Sequence, residues 1–388
     1  MGLYSFNLLT KRVLGEFLKI TYCFKGESYE KKGLIAKLLI ISVVSTFSLG
    51  FVGCQTSSTN AESNTAKRVV RVAHVQNENH PIHGALLELE KYIEEKTNNN
   101  IDVQIFPNEL LGTQTQTIEL TQTGAVDMVV AGLGALEAFN SAYTVFNLPY
   151  IMDSIEHYHA VMNDENIMGE VFNSTESSGF VGLTWFDARV RNIYTKNKVI
   201  QTPDDLKGLK IRVQTSPTNV KMLQALGASP TPMSFGEVYT GLQQGVIDGA
   251  ENNELALVNN KHGEVAKVYS YNMHAMLPDI LIISTSLLDR LTDEEKQIFI
   301  EAANIENEWE IKKWEQSVEE AKVTAEKMGV EFYYPDVKQF QDKMADLHAE
   351  YTQDENMKVI YDKIKAKGIE VAKGKEYEED SVLEEREE

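Results

Sequence analysis

The sequence predicts an α/β protein of two lobes, followed by one long helix. The chain has 388 residues, which is more than one hydrophobic core usually holds, so two lobes are expected. Strand-like and helix-like segments alternate in two successive series, as in a sheet covered by helices. A helical pattern then runs from Thr292 to Gly329, which is too long for one small lobe. An apolar content of 43% supports a folded chain.

The first series lies in residues 69–190, which we assign mainly to lobe 1. It begins with the strand-like "VVRVAHV" and the helix-like "HGALLELEKYIEEKT". This helix stops at Asn98–Asn100, because asparagine tolerates the left-handed conformation of a helix end. The strand "IDVQIFP", the helix "TQTQTIELTQTG" and the apolar strand "AVDMVVAGL" follow. This order predicts a parallel sheet covered by helices.

The pattern recurs with the strands "GFVGLTWF", "LKIRV" and "VIDGA" and the helices "NVKMLQALG" and "SFGEVYTGLQQG". Ser234 and Glu237 form an S-x-x-E capping box at the start of the second of these helices. We assign residues 191–290 mainly to lobe 2, with crossing strands and a return to lobe 1. Junctions near Ala188 to Lys198 and after Asn252 predict that more than one crossing joins the lobes.

Residues 291–372 are predicted to carry the long helix and the C-terminal helices. Thr292 opens the long helix with the capping box "TDEE". Such a helix either braces both lobes or makes a coiled-coil contact with another chain, and its irregular apolar positions do not favour sustained heptads. Residues 373–388 include "GKEYEEDSVLEEREE" and predict a disordered acidic tail.

The charge of the chain excludes some partners. It has 37 basic and 58 acidic residues, a net charge of −21, which argues against binding to nucleic acid or to an anionic membrane surface. An anionic ligand would therefore need a local positive site. Residues 1–53 differ from the rest, because they hold seven basic and three acidic residues.

The N-terminal residues 1–53 predict a secretory signal peptide. Lysines precede the 15-residue apolar run "LLIISVVSTFSLGFV", which is shorter than the ~20 residues that a membrane-spanning helix needs. "FVGC" resembles a bacterial lipobox, in which Cys54 would become the lipidated first residue, although Phe51 stands where the pattern prefers leucine. The alternative is that Cys54 is a free thiol. Residues 54–68 predict a flexible tether.

The sequence offers little that favours catalysis. "GLGALE" has Glu137 in place of the third glycine of a dinucleotide motif, and neither a phosphate loop nor a nucleophile elbow is present. His80 with His83, and His157 with His159, are only weak candidates for a metal site. We therefore expect no catalytic residue, no cofactor and no bound metal.

A binding site is better supported. Arg191, Arg212 and Asn252 lie at strands of the two α/β series, and ligands of open parallel sheets bind beyond the carboxyl ends of strands. From the residues alone, the favoured interpretation of Arg212 is a solvent-facing residue of the alternating strand "LKIRV".

The run "RNIYTKNKVIQTPDDLKGLKIRVQTSPTNVKMLQALGASPTPMSFGEVYTGLQQGVIDGAENN" resembles the solute-binding proteins of tripartite ATP-independent periplasmic (TRAP) transporters, the DctP type. The resemblance covers about residues 69–335 and includes "FNLPYIM" and "LTDEEKQIFIEAA". It implies a two-lobed periplasmic-binding-protein-like fold with a long bracing helix. It also implies an extracytoplasmic receptor that binds an organic acid between its lobes and delivers it to the membrane subunits of a TRAP transporter.

The resemblance assigns roles to individual residues. Arg212 matches the arginine that pairs with the ligand carboxylate, and Arg191 matches a second basic residue near it. Asn252 matches a polar ligand contact, and Phe235 matches an aromatic residue of the pocket. A guanidinium suits this role, because its planar fork donates two parallel hydrogen bonds to a carboxylate.

The nature of the acid stays open between a sugar acid and a C4-type dicarboxylate, with a slight preference for the sugar acid. Sialate is disfavoured, because Gly132 and Gln114 stand where sialate binders of the family have acidic residues. Asn79 and His80, in the loop of residues 77–80, are expected to contact the distal part of the ligand. Gln114 is also a candidate ligand contact. Two other functions remain as alternatives: a ligand-sensing subunit of a signalling system and an extracellular enzyme that acts on an organic acid.

Overall fold

The computed structural model describes residues 67–387, with side chains described through residue 374. The predicted signal peptide, the lipobox cysteine Cys54 and nearly all of the predicted tether lie outside these residues. In the described part of the chain, no helix has the length and apolar character required to span a membrane.

Two β-sheets organise the described residues. The first sheet has the strand order β2-β1-β3-β10-β4, and the second has the order β11-β9-β5-β8-β6-β7. The strands are β1 (Arg68–Ala73), β2 (Ile101–Phe106), β3 (Met128–Gly132), β4 (Phe180–Phe186), β5 (Val190–Thr195), β6 (Lys210–Val213), β7 (Ser229–Pro232), β8 (Gly249–Asn252), β9 (Val268–Met276), β10 (Asp279–Ser284) and β11 (Glu331–Tyr333).

Helices cover both sheets, as the alternation of the sequence predicted. The α-helices are α1 (Pro81–Lys96), α2 (Gln114–Gln122), α3 (Leu133–Leu136), α4 (Ile155–Met162), α5 (Glu165–Asn173), α6 (Pro217–Ala225), α7 (Val238–Gln244), α8 (Leu255–Val258), α9 (His262–Val265), α10 (Thr285–Leu288), α11 (Asp293–Lys327), α12 (Lys338–Gln341), α13 (Ala345–Tyr351) and α14 (Glu355–Glu387). The capping box of Ser234 and Glu237 is present and opens a short 3-10 helix, Phe235–Glu237, directly before α7.

The sheets are mixed rather than parallel, which corrects the prediction. β1 pairs in parallel with β2 and β3, but β10 is antiparallel to both β3 and β4. In the second sheet β5 is antiparallel to both β8 and β9. The strand-helix-strand order indicated the parallel pairing of β1 with β2 and β3 and of β6 with β8, because helices connect these strands along the chain. The antiparallel strands are joined to the sheets by crossings between the lobes, which local periodicity does not reveal.

Two short segments carry the chain between the sheets. Residues 187–189 join β4 of the first sheet to β5 of the second, and residues 277–278 join β9 of the second sheet to β10 of the first. The amide of Leu277 donates to the carbonyl of Arg189 at 3.3 Å, so the two segments are bonded to each other. The result is a fold of two lobes with adjacent crossings, which is the fold class that the sequence predicted.

Apolar side chains pack against both faces of the first sheet. Val70 and Val72 of β1 belong to one cluster with Leu86 of α1. On the other face, Val129 of β3 belongs to a larger cluster that reaches Val213 of β6 in the second lobe. The first sheet is therefore buried on both sides, as expected for strands with helices on each face.

The long helix α11 spans 35 residues and contacts both lobes. Its capping box uses Thr292 and Glu295, as predicted. It packs against α1 and β4 of the first lobe and against α8 of the second. The arrangement agrees with the brace that was one of the two interpretations of this helix.

The last helix, α14, extends to Glu387. Its backbone is helical over residues 373–387, and the disorder that composition suggested for this tail stays a prediction. Glutamate and lysine dominate this segment and are good helix formers, which accounts for the helical backbone.

Two buried glutamates lie on the inner side of α11. Glu306 and Glu310 are both fully buried. Glu310 accepts a hydrogen bond from the amide of Asp187, in the first crossing segment, at 2.9 Å. Neither carboxylate oxygen of Glu306 has a hydrogen-bond partner among the described residues. Burial raises the pKa of Glu306 well above its usual range, so this side chain is held as the neutral acid.

We expect Glu306→Gln to stabilise the protein, and more so at pH 8 than at pH 5. The folded-state pKa of Glu306 is raised above its unfolded value, so stability is complete below the unfolded pKa and is lost as pH rises toward the folded one. The loss is about 1.4 kcal/mol per pH unit, and glutamine removes it. Thermal unfolding at the two pH values measures the difference.

Glu308→Gln is the matched control, because Glu308 is exposed on the same helix. The thermal unfolding midpoint of Glu308→Gln should stay close to that of wild type at both pH values. A Glu306→Gln protein that is less stable than wild type at pH 8 would show that Glu306 has a stabilising partner.

Candidate ligand site between the lobes

A cavity lies between the two sheets, and residues of both lobes and of α11 line it. Its wall is mostly polar, with amide, hydroxyl and charged side chains and few apolar ones. The lining includes Gln76, His80, Thr113, Gln114, Arg191, Arg212, Gln214, Phe235, Asn252, Asn253, Asp279 and Trp314.

Arg212 is a buried cation without a carboxylate partner. It lies in β6 and is 3% exposed, so it is not a solvent-facing strand residue, and that interpretation of the alternating pattern is wrong. Its Nε and Nη2 donate to the carbonyl of Met233 at 3.0 and 2.8 Å. Its guanidinium carbon lies 5.8 Å from the centre of the Phe235 ring. Burial lowers the pKa of Arg212, because desolvation disfavours the charged form.

Arg191, by contrast, is fully engaged with protein groups. Its Nε donates to Glu251 Oε2 at 2.5 Å, and its Nη2 donates to Glu251 Oε1 and to the Glu251 carbonyl at 3.0 Å each. Its Nη1 donates to Asn252 Oδ1 at 3.0 Å. Burial would raise the pKa of Glu251, but Arg191 and His274 hold it at about 2. The charge of Arg191 is therefore balanced within the wall of the cavity.

Asn252 and Phe235 both line the cavity with the two arginines. Asn252 ends β8, and its Oδ1 accepts from Arg191 and from the amide of Asn253 at 2.9 Å. Phe235 begins the short 3-10 helix after β7. The structure thus brings together four of the residues that the resemblance selected.

The loop before α1 contributes His80 but not Asn79. Asn79 is exposed and does not line the cavity. Its backbone N–H donates to Asn77 Oδ1 at 2.9 Å. His80 lines the cavity, caps α1 through its Nδ1 and packs edge-on against Trp314. Burial lowers its pKa to about 3, so it is neutral. Gln76 occupies the place in the lining that Asn79 was expected to hold.

Gln114 lines the cavity at the first position of α2. The sequence selected Gln114 as a ligand contact, although sialate binders of the family have an acidic residue there and at Gly132. The structure supplies an acidic group from another strand, because Asp279 of β10 pairs with Gly132 of β3. Asp279 was missed by the sequence analysis. The one available signal was a charged residue at the start of the otherwise apolar strand "DILIIS".

The other three histidines of the two predicted pairs make contacts within the fold. His157 Nε2 lies 2.8 Å from the Ile364 carbonyl, and His159 Nε2 lies 3.0 Å from Asp187 Oδ2. His83 Nδ1 lies 3.0 Å from His74 Nε2. A search of residues 67–387 finds no group of three or more histidine, cysteine or acidic side chains that could hold a metal ion.

Three contacts join the lobes at the rim of the cavity. Glu109 Oε1 accepts from the amide of Gly236 at 3.1 Å, and Asn77 Nδ2 donates to the carbonyl of Asn259. Glu137 Oε1 accepts from the amide of Thr218 at 3.1 Å. A side chain on residue 236 would collide with Glu109, since a Cβ there would lie 2.6 Å from its Oε2. The lobes are thus held closely together at this rim.

Comparison with known proteins identifies the family of this fold and cavity. Residues 72–355 match the DctP model, described as bacterial extracellular solute-binding protein, family 7. The C4-dicarboxylate-binding periplasmic protein DctP of Vibrio cholerae is 32% identical over 254 residues, which is 64% of this chain and 75% of that protein.

Two solved structures are similar over nearly their whole length. A TRAP periplasmic solute-binding protein from Anaerococcus prevotii, with bound D-glucuronate, is 49% identical with a TM-score of 0.77 and covers 78% of this chain and 99% of its own. One from Xanthobacter autotrophicus, with bound β-D-galacturonate, is 36% identical with a TM-score of 0.74 and covers 76% of this chain and 99% of its own. The chain therefore belongs to the DctP family of bacterial extracellular solute-binding proteins, the solute receptors of TRAP transporters.

Proposed function

We propose that the protein binds a sugar acid of the hexuronate class in the interlobe cavity and delivers it to a TRAP transporter. The observation that carries the proposal is Arg212, a buried guanidinium that faces the cavity and has no carboxylate partner among the described residues. A buried charge is costly unless it is paired, and a ligand carboxylate would supply the missing partner. The Phe235 ring beneath the guanidinium adds a cation–π contact and limits its position.

The rest of the cavity favours a hydroxylated acid over a simple dicarboxylate. Gln76, Thr113, Gln114, Gln214 and Asn253 surround it with amide and hydroxyl groups. Such groups can donate to and accept from sugar hydroxyls, whereas a second carboxylate needs a second cation. Arg191 does not provide one, because Glu251 balances its charge. The hexuronates bound by the two similar structures support the same class.

The contacts at the rim would link closure to binding. Glu109, Asn77 and Glu137 each bond to the opposite lobe. A ligand held by Arg212 from one lobe and by Gln76 or Gln114 from the other can make both sets of contacts only when the lobes are together. Ligand binding would therefore favour the closed form.

The receptor would act outside the cytoplasm, anchored by lipid on Cys54. The lipobox-like "FVGC" after the apolar run supports this part of the proposal. Stable anchoring by lipid alone takes two or more acyl chains, which bacterial lipoproteins carry. Binding without turnover is part of the proposal, since the similar proteins are binding proteins. Neighbouring genes for permease subunits, rather than for a histidine kinase, would separate a transport receptor from a sensor.

We expect Arg212→Gln to abolish high-affinity binding of D-glucuronate and D-galacturonate while leaving the protein folded. The substitution removes a charge-assisted pair with the ligand carboxylate, and loss of ~100-fold or more in affinity is expected. Titration calorimetry with the two uronates and with succinate measures the effect.

Lys210→Gln is the control, because Lys210 is exposed on the same strand, and it should bind as wild type does. Tighter binding of succinate than of either uronate by the wild-type protein would reject the hexuronate assignment. Full uronate affinity in Arg212→Gln would reject the role of Arg212.

Arg191→Gln should have a different effect, because it should strongly destabilise the fold. It would leave Glu251 buried without its cation, and breaking a buried pair in this way costs about 3–5 kcal/mol. Thermal unfolding should show a large fall in midpoint for Arg191→Gln and a small change for Arg212→Gln. An Arg191→Gln protein with normal stability would show that the pair with Glu251 contributes little.

We also expect Glu109→Ala to speed dissociation of the uronate more than it slows association. The hydrogen bond from Gly236 to Glu109 forms only when the lobes meet, so its loss destabilises the closed form. A loss of about 0.5–1.5 kcal/mol corresponds to a ~2- to 10-fold faster release. Stopped-flow fluorescence measures both rates. Glu119→Ala, at an exposed position of α2, is the control.

A further inference from the structure

Asp279 is an acidic residue of the cavity wall whose carboxylate has no hydrogen-bond or ion-pair partner in the described residues. It is the first residue of β10, where the second crossing enters the first sheet, and it lines the cavity. Its carboxylate accepts no hydrogen bond from the described residues and is not within 4.0 Å of a cationic nitrogen there. Arg191 lowers the pKa of Asp279 through its charge, but the guanidinium fork of Arg191 is bound to Glu251.

Gly132 gives the Asp279 carboxylate room beside two glutamine side chains. A Cβ on residue 132 would lie 3.0 Å from Asp279 Oδ1, 3.1 Å from Gln214 Nε2 and 3.3 Å from Gln114 Oε1. These three polar ends come from β10, from the residue after β6 and from α2, so both lobes contribute. The three groups converge on one point, yet the structure contains no hydrogen bond between any two of them. They form a polar pocket within the larger cavity.

The surroundings of this carboxylate raise the free energy of its ionised form. Burial raises the pKa of Asp279 to about 6. Glu310 of α11 and Tyr158 of α4 also interact with it, and Glu310 is an acid like Asp279. An ionised carboxylate accepts hydrogen bonds and donates none, so the groups that suit it are donors such as hydroxyls. A second carboxylate placed beside it would be repelled.

We propose that Asp279 selects the ligand by accepting hydrogen bonds from sugar hydroxyls and by repelling any second carboxylate. The inference rests on the proposed function, since it assumes a hydroxylated monocarboxylate held by Arg212. It assigns opposite tasks to the two unpaired charges of the cavity. Arg212 binds the carboxylate of the acid, and Asp279 requires that the part of the ligand beside Gly132 be neutral and hydroxylated.

The test compares D-glucuronate with D-glucarate, which carries a carboxylate at each end, in wild type, Asp279→Asn and Asp279→Ser. Wild type should bind glucuronate well and glucarate poorly. Asp279→Asn keeps the shape but removes the charge, and we expect glucuronate affinity to fall ~10- to 100-fold. Its affinity for glucarate should rise or stay equal, so that the preference between the two acids shrinks by at least the same factor.

Thermal unfolding of the ligand-free proteins shows whether Asp279 acts on the ligand or on the fold. An unpaired, partly buried anion does not stabilise the empty receptor, so both variants should unfold at the wild-type temperature or above it at pH 7.5. Asp289→Asn is the control for removal of one negative charge, because Asp289 is exposed beyond β10. Its preference for glucuronate over glucarate should match that of wild type.

The outcomes distinguish a failure of the proposed function from a failure of the role assigned to Asp279. If wild type binds neither glucuronate nor galacturonate, the proposed function fails. If wild type binds glucuronate and both Asp279 variants keep its affinity and its preference over glucarate, the role of Asp279 is overturned and the proposed function stands. Asp279 variants that lose stability along with affinity would assign this residue to the fold and would also overturn the inference.

Discussion

The buried pair of Arg191 and Glu251 is the interaction on which the rest of the site depends. Arg191 follows the first crossing segment in β5, and Glu251 lies on the neighbouring strand β8. His274, on β9 just before the second crossing, lies 3.4 Å from the same carboxylate. Together with His274, the pair therefore connects β5, which enters the second lobe, with β9, which leaves it, and with β8 next to β5. Because Glu251 balances the charge of Arg191, Arg212 is the cation that is left, among the described cavity residues, to bind the carboxylate of an acid.

Two unpaired charges of opposite sign then define what the cavity can hold. Arg212 lacks an anion and Asp279 lacks a donor, and the chain as a whole is strongly acidic with a net charge of −21. Anions are disfavoured over most of such a surface, so a local guanidinium with no competing carboxylate concentrates their binding at one place. A ligand with one carboxylate and several hydroxyls satisfies both charges, whereas a dicarboxylate satisfies one and opposes the other.

The sequence predicted local structure well and tertiary pairing poorly. The helices α1 and α11 and the strands β1 and β6 follow from periodicity and from caps such as Thr292, because these signals lie within a few residues. Arg212 was selected because a recognisable motif surrounds it. That Arg191 is neutralised could not be predicted, since Glu251 is 60 residues away and meets it only through strand pairing. Asp279 was missed for the same reason, because its carboxylate reaches the cavity only through the pairing of β10 with β3.

The rim hydrogen bonds favour closure and the unpaired charges of the cavity oppose it, which explains why closure would depend on ligand. The rim bonds of Glu109 and Asn77 are partly exposed, and such bonds contribute about 0.5–1.5 kcal/mol each at most. With the lobes together, Arg212 is buried and Asp279 is partly buried. Removing an unpaired charge from water costs more free energy than one such hydrogen bond contributes. The rim bonds can therefore position the lobes but cannot hold the receptor closed by themselves. A ligand would supply what is missing by pairing with Arg212 and donating to Asp279, so the features that make the empty cavity costly would also make its closure selective.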